Sequence, residues 1–465
     1  MPKNRGDGAH DQERIPNAVN CVGKPESAGE CIGTVRNRQT IGPVVRRELC
    51  TGCGTCVGVC PREAMEMVRR KGRYVARLDK ARCNRCGLCH EACPGHGVDF
   101  EELSATVLGD IPEDVAVGRH LGCYVGHATD RIVRFNAASG GMVSSLLIFA
   151  LQEGWIDGAL VTRMRRDDPL TPEPFIARTR EEILSAAGSK YCPVAVNTVL
   201  AEILASGERI AVVGLPCHIQ GLRKAEQRIP KLARQIRFRI SLACSLNFSF
   251  LGTTRFLESL GFAPKSVAVF QYRGRGWPGS VLIRSGDGMQ RTVPYPECYR
   301  QLGPYSLRRC TLCSDMFGEL SDLTCGDAWI PELMRTDKAG SSFVVSRTAA
   351  AEELLEGAAS QEAVELSELE LEDLVASQGH ALFKKRKLKA RMRLFKLAGL
   401  SVPVYRQKLL SPVRGDYVSA MKFYAIRQIV AGNHRLLHCL LRLVHGRKHR
   451  SVKAERQPVE AVARP

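Results

Sequence analysis

Apolar and polar positions along this chain follow two periods, and the changes between them outline its architecture. From Gly141 to Gly154 (GMVSSLLIFALQEG) apolar residues recur at helical spacing, and Gly158 to Met164 (GALVTRM) reads as a strand. Arg209 to Leu215 (RIAVVGL) reads as another strand, followed by a helical stretch from His218 through Glu226. Phe238 to Cys244 and Ser266 to Tyr272 are strand-like, and Ser342 to Arg347 (SFVVSR) precedes a helix rich in Ala, Leu and Glu. This alternation predicts an α/β or α+β body with a mixed sheet over residues 121–380. Residues 1–44 show no apolar period and read as a disordered leader. Beyond residue 380, Leu382 to Leu397 (LFKKRKLKARMRLFKL) is a basic amphipathic stretch with Leu388, Met392 and Phe395 on one face. Tyr417 to His445 reads as a second helix of apolar and basic residues.

Charge sharpens that last boundary. Residues 381–465 hold 21 Lys and Arg against three acids, whereas the other 380 residues hold 46 against 45. The formal net charge of +19 is therefore a property of the tail, and the body is nearly neutral. Such a tail suits either an anionic membrane surface or docking on its own body as a solvated helix. Nucleic acid is unlikely as a partner, since no recognised binding motif accompanies the charge. No run of eighteen uncharged apolar residues is present, so no span of a bilayer is expected. With 19 cysteines and no secretory segment, the expected location is the reducing cytoplasm, peripheral at the inner face of the membrane if the tail binds lipid.

The cysteines carry the chemistry. Cys50-x2-Cys53-x2-Cys56-x3-Cys60-Pro61 recurs 33 residues later as Cys83-x2-Cys86-x2-Cys89-x3-Cys93-Pro94. This is the two-cluster bacterial ferredoxin arrangement, in which three thiolates wrap one iron–sulfur cube and the fourth reaches across to the other. The first [4Fe–4S] cluster is thereby expected on Cys50, Cys53, Cys56 and Cys93, and the second on Cys83, Cys86, Cys89 and Cys60. Zinc ribbons pair two C-x2-C knuckles and do not match three even thiols plus a fourth before proline. Disulfides would need an oxidising compartment. Residues 45–101 thus form a ferredoxin-like domain, joined through a connector at 102–120 to the larger body.

A scattered set remains: Cys217 in GLPCHIQGLRK, Cys244 in SLACSLNF, and Cys310 and Cys313 in RRCTLCSDMFGELSDLTCGDAW. Cys217 and Cys244 each end a predicted strand, where open α/β sheets place their functional crevice. The four make a plausible thiolate site, with buried inert cysteines as the alternative. Ala137-Ala138-Ser139-Gly140-Gly141 opens a predicted helix and offers free N–H groups for a phosphate, or an ordinary N-cap. Ala187-Gly188-Ser189-Lys190-Tyr191 offers a cation, a hydroxyl and a ring, or an ordinary turn. No GxGxxG fingerprint accompanies a βαβ unit, so a Rossmann NAD site has no support.

Taken in order, AASGGMVSSLLIFALQEGWIDGALV, AAGSKYCPVAVN, GLPCHIQGLRK, YRGRGWPG and RCTLCSDMFGELSDLTCGDAW resemble the beta-subunit family of coenzyme F420 (deazaflavin) hydrogenases and dehydrogenases. That family also includes 7-hydroxymethyl chlorophyll a reductase. The resemblance covers about residues 45–380. It implies an FAD on the α/β body beside a third [4Fe–4S] cluster held by Cys217, Cys244, Cys310 and Cys313. It further implies that Ser139, Gly140 and Gly141, with Ser189, Lys190 and Tyr191, line the flavin. Cys325 stands where many relatives carry another small residue and is left unassigned; Asp315 and Asp327 are candidate polar groups near the site.

A protein holding both kinds of cofactor converts between single-electron carriers and two-electron chemistry. The expectation is an oxidoreductase linking a ferredoxin or partner redox subunit to a small-molecule substrate, F420 or another organic compound, with Lys190 balancing charge on reduced flavin. Two alternatives stand beside it. One is a non-catalytic electron-transfer subunit of a hydrogenase or dehydrogenase. The other is a membrane-associated accessory protein of polysaccharide biosynthesis with the tail as its working end.

Overall fold

The computed structural model describes residues 39–111 and 114–432. Cys21, Cys31 and the last part of the helix expected from Tyr417 to His445 lie outside them; the described part of that helix is Arg414–Gly432.

The small domain is built on the repeat. Helices Thr55–Gly58 and Leu88–Glu91 occupy equivalent places, each starting from a left-handed glycine, Gly54 (φ 85°) and Gly87 (φ 84°). Between them β1 (Met65–Arg70) and β2 (Arg73–Leu78) form an antiparallel hairpin, and β3 (Gly97–Asp99) follows the second run. The domain's core takes in residues that polarity alone places in the leader. Gly42–Arg46 is a helix with proline in its first turn, and Ile41 and Val44 are buried with Leu49, Cys56, Cys89 and Cys93. A single turn is too short to display an apolar period. The connector likewise contains a helix, Phe100–Leu108, capped by the Asp99 carboxylate on the Glu102 N–H at 3.0 Å.

The body is a mixed eight-stranded sheet. Its strands are β4 (Gly122–Ala128), β5 (Gly158–Met164), β6 (Pro172–Ala177), β7 (Ile210–Gly214) and β8 (Ile236–Leu242). After a separate antiparallel sheet of β9 (Val267–Gln271), β10 (Ser280–Ser285) and β11 (Gln290–Pro294), it is completed by β12 (Leu323–Asp327), β13 (Ser342–Ser346) and β14 (Val364–Glu368). The spatial order is β14-β4-β13-β12-β8-β7-β5-β6. Strands β5, β7, β8 and β12 run parallel and the flanking pairs antiparallel.

The two-residue period of the strands sorts their side chains between two cores. Ala159, Val161 and Ala211 face helices Met142–Gln152 and Ala349–Ser360. Leu160, Ile210 and Val212 face the opposite side, under helices Leu200–Ser206 and Pro216–Glu226. Val59 and Ala92 of the ferredoxin-like domain belong to that second core, so the two domains share buried apolar surface.

The basic stretch forms helix Gly379–Leu397. Leu388 and Phe395 are buried against Leu312, with Met392 packed beside them. Of the two uses of this face, docking on the body is the one adopted, and these side chains are not available to a bilayer. After the helix, β15 (Val404–Arg406) pairs in parallel with β3. No helix among the described residues is long and apolar enough to cross a membrane.

Candidate redox site

The eight ferredoxin-type cysteines fall into two groups that exchange their fourth members. Burial, then the neighbouring Cys53 and Cys50, pushes the Cys93 thiol up to about 12. Cys56 is raised by burial, then by Cys53, Cys50 and Cys93, and after them by Cys89 of the other group. Cys89 instead sits among Cys86, Cys60 and Cys83. Those four line one pocket with Arg62, Met65, Leu78 and Arg85. Backbone N–H groups already point at sulfur, from Gly95 to Cys93 at 3.2 Å and from Ala64 to Cys60 at 3.3 Å. Crowded thiols, of which burial raises Cys50, Cys56, Cys89 and Cys93, suit iron, whose charge favours the thiolate form.

The sheet assembles the other four. Cys217 is the second residue of helix Pro216–Glu226, directly after β7, and Cys244 lies two residues beyond β8. Helix Arg308–Thr311 and the turn after it carry Cys310 and Cys313. The Cys244 N–H donates to the Met316 carbonyl at 3.0 Å, tying the β8 end to that turn. Asp315 holds the turn itself, accepting from the Gly318 N–H at 2.7 Å and from Gln220 Nε2 at 3.0 Å. The Cys217 thiol is raised by desolvation and then by Cys53, Cys310, Cys244 and Cys313, so the scattered set converges and one thiol of the first ferredoxin group stands beside it. No disulfide forms among the described residues, and no three of their His, Cys, Asp or Glu side chains close on one point as a single ion requires. The Ser314 hydroxyl, next to Cys313, is buried with no hydrogen-bond partner among the described residues, leaving a donor for a group bound there.

The seam between the two regions is made by close backbone approach. Asn197 donates its N–H to the Cys53 carbonyl at 2.9 Å, and its amide Nδ2 to Thr55 Oγ1 and the His218 carbonyl, both at 2.8 Å. A Cβ on Gly58 would lie 2.1 Å from the Asn197 carbonyl oxygen, so only glycine permits this contact. Two cations from the body, half-buried Lys224 and buried Arg309, hold the segment after Cys93. Lys224 Nζ donates to the carbonyls of Cys93 (2.7 Å) and Gly97 (3.2 Å), and Arg309 to those of Gly95 (3.0 Å) and Pro94 (3.1 Å).

A cavity of about 810 Å³ opens at the carboxyl ends of β5, β7, β8 and β12. It lies in the upper part of the ~300–1,000 Å³ range of ligand pockets, roomy enough for a dinucleotide. Ser139, Gly141, Ser189, Lys190 and Tyr191 line it. Gly140 does not: it is buried where a Cβ would meet Ser341 and Ser342 backbone at about 3 Å. Gly141 is the left-handed N-cap (φ 75°) of helix Met142–Gln152, whose dipole favours an anion there. Lys190 Nζ donates to the carbonyls of Ala186, Ala187 (3.1 Å) and Gly188 (2.9 Å), while burial pushes its pKa down to about 7. Tyr191, Tyr295, Tyr299 and Trp329 supply an aromatic wall, with Tyr191 stacked on Tyr295 at 5.7 Å between centroids. Cys244 lines the same cavity, as does Cys325, a thiol that burial raises to about 12.

Several functional groups escape sequence reasoning. Arg273 is buried and bidentate with Asp327, Nη1 at 2.8 Å and Nη2 at 2.5 Å, and its guanidinium lies 4.1 Å from the Tyr295 ring centroid. Trp277 Nε1 also donates to Asp327, at 2.8 Å. Both lie in YRGRGWPG, which signals a family without naming roles. Asn197, Lys224 and Arg309 likewise sit in quoted family motifs whose wording does not reveal their partners.

With the geometry set, comparison with known proteins identifies its lineage. The N-terminal and C-terminal parts of the coenzyme F420 hydrogenase/dehydrogenase beta subunit match residues 123–201 and 207–372, and a 4Fe-4S dicluster domain matches residues 49–97. The coenzyme F420 hydrogenase subunit beta of Methanothermobacter thermautotrophicus is 31% identical over 228 residues, 46% of this chain and 76% of that protein. The chain belongs to this beta-subunit family. A solved chain of the F420-reducing [NiFe] hydrogenase complex from Methanosarcina barkeri superposes with a TM-score of 0.51 at 27% identity, covering 63% of this chain and 98% of its own. More distant is the chloroplastic 7-hydroxymethyl chlorophyll a reductase of Oryza sativa subsp. japonica, 26% identical over 195 residues, 41% of this chain and 40% of that protein.

Proposed function

We propose that this beta-subunit family member is an FAD- and iron–sulfur-dependent oxidoreductase. It links a ferredoxin or partner redox subunit to an organic two-electron substrate, with coenzyme F420 the first candidate. Cys50, Cys53, Cys56 and Cys93 hold one [4Fe–4S] cluster, Cys83, Cys86, Cys89 and Cys60 the second, and Cys217, Cys244, Cys310 and Cys313 the third. When bound, these cubes handle electrons singly while FAD handles them singly or in pairs, which is the conversion the activity needs.

One observation carries the reading: Cys244 belongs to the converged thiol set and also lines the large cavity, while Cys53 stands against Cys217 from the other side. The protein's own groups divide the remaining work. The helix start at Ser139 and Gly141 receives a phosphate, Tyr191 and Tyr295 offer a stacking wall, and Lys190 supplies a cation at the cavity. The Arg273–Asp327 pair fixes the aromatic wall from behind. Gly140 serves the backbone turn and not the ligand.

The alternative of a non-catalytic subunit draws support from the Methanosarcina barkeri match, which is one chain of a hydrogenase complex. Anaerobic assay of the purified chain separates the two. Turnover of F420 or another acceptor with dithionite-reduced protein alone supports catalysis; turnover only after a partner chain is added gives the subunit reading.

A further inference from the structure

Beyond residue 372, where the family match ends, the chain returns to the redox site. Tyr405 OH donates to the Leu312 carbonyl at 2.8 Å, inside the Cys310–Cys313 loop. Leu312 is itself fully buried against Leu388 and Phe395. Arg308, two residues before Cys310, donates to the Ser401 carbonyl at 2.8 Å and to Glu48, two residues before Cys50, at 3.1 Å. The same segment adds β15 to β3, which begins four residues after Cys93, and Arg406 reaches Asp99 at 3.2 Å. Residues 388–409 therefore touch the half of the third thiol set that lies on a loop and the half of the ferredoxin-like domain that faces it.

Charge adds a second observation. A cube held by four thiolates carries net negative charge, which grows on reduction, and burying it is costly without cations. Arg309 donates to the carbonyls of Gly95, Leu312 and Pro94, and its charge interacts with Tyr405, Cys313 and Cys310. Arg391 stands one helical turn from Leu388 and Phe395, the side chains packed on Leu312 inside the Cys310–Cys313 loop, and Cys313 is among the charges it meets.

We propose that residues 388–409 form a strap that positions the Cys310–Cys313 loop and, through Arg391, sets the reduction potential of the cluster held there. This rests on the third-cluster reading above. Leu388, Tyr405 and Arg391 are positioning residues: they act through the loop and its charge. A cation beside a cluster stabilises its reduced form, so removing that cation lowers the potential.

The test is an EPR-monitored redox titration of the full-length, anaerobically loaded chain and of Arg391→Met, Arg391→Lys and Tyr405→Phe. In Arg391→Met the reduced-to-oxidised ratio of the third cube at a fixed potential falls about tenfold, a downward shift of about 59 mV for one electron. The two ferredoxin-type cubes stay in place and Arg391→Lys restores the wild-type value. Tyr405→Phe, which loses one hydrogen bond, bleaches faster in air at the third cube alone. Equal shifts in all three cubes, or none, overturn the strap. A wild-type chain with only about eight irons, two cubes' worth, overturns the third-cluster reading and the strap with it.

Discussion

The two kinds of cysteine site in this protein are built in opposite ways. The ferredoxin-type sites are written into two short runs, and their ligands need only local loops plus one exchange between runs. The Cys217, Cys244, Cys310 and Cys313 set spans almost a hundred residues and exists only because parallel strands β7 and β8 end at one edge and a distant turn folds back onto it. On this contrast, damage to the sheet is expected to reach the assembled site before the locally spelled ones. At the seam, only glycine at position 58 allows the two backbones to approach so closely, which the proposed relay would require.

The sharpest way to break this comparison is to disturb the sheet far from sulfur. Asp322 is buried and accepts from Arg223 Nη2 at 2.6 Å and from the Arg239 N–H at 2.8 Å. Arg223 lies on the helix that carries Cys217, and Arg239 on β8, which leads to Cys244. Asp322→Ala leaves the two buried guanidinium groups with Glu226 as their shared carboxylate, one buried positive charge in excess, and is expected to cost about 3–5 kcal/mol. Thermal melts with iron analysis should show a lowered Tm and loss of the third cube before the other two. Simultaneous loss of all three would mean that the ferredoxin-type sites are no more autonomous than the assembled one.

Gly58→Ala attacks the seam itself. Its Cβ meets the Asn197 carbonyl, and overpacking of this kind costs about 1–3 kcal/mol. All the cubes should stay loaded, yet magnetic coupling between the first and third should weaken, visible as narrower low-temperature EPR lines. Unchanged coupling would show that the contact does not set their separation.

The smallest expected effect concerns Lys190. With its pKa near 7, the ammonium is lost as pH rises through that value. FAD affinity should therefore fall between about pH 6 and 8, and Lys190→Met should flatten the dependence. Fluorescence titration checks this, and a slope that persists in the variant would assign it to another group.

How far these features could be read from the sequence follows the same division. The two-cluster domain at residues 49–97 was legible because the repeated cysteine spacing dictates it. The strands at Gly158–Met164 and Ser342–Ser346 were legible from their apolar runs, and with them the mixed character of the sheet. What stayed hidden depends on tertiary contact. Ile41 and Val44 are too few to reveal a period, and Gly140 reads like its neighbours although Ser139 and Gly141 reach the cavity and it does not. Two groups meeting across about 130 residues, Lys224 and the Cys93 carbonyl, leave no trace in spacing. The basic helix was ambiguous because an amphipathic stripe is the same whether it faces lipid or Leu312.

The central claim is that the scattered thiols hold a third cube beside a flavin cavity. Iron, acid-labile sulfide and FAD should be measured in anaerobically purified wild type and in a Cys217→Ala/Cys310→Ala double variant. About twelve irons and one FAD per chain are expected in the wild type, falling to about eight irons in the variant with the flavin retained. Equal iron in both proteins would contradict the claim.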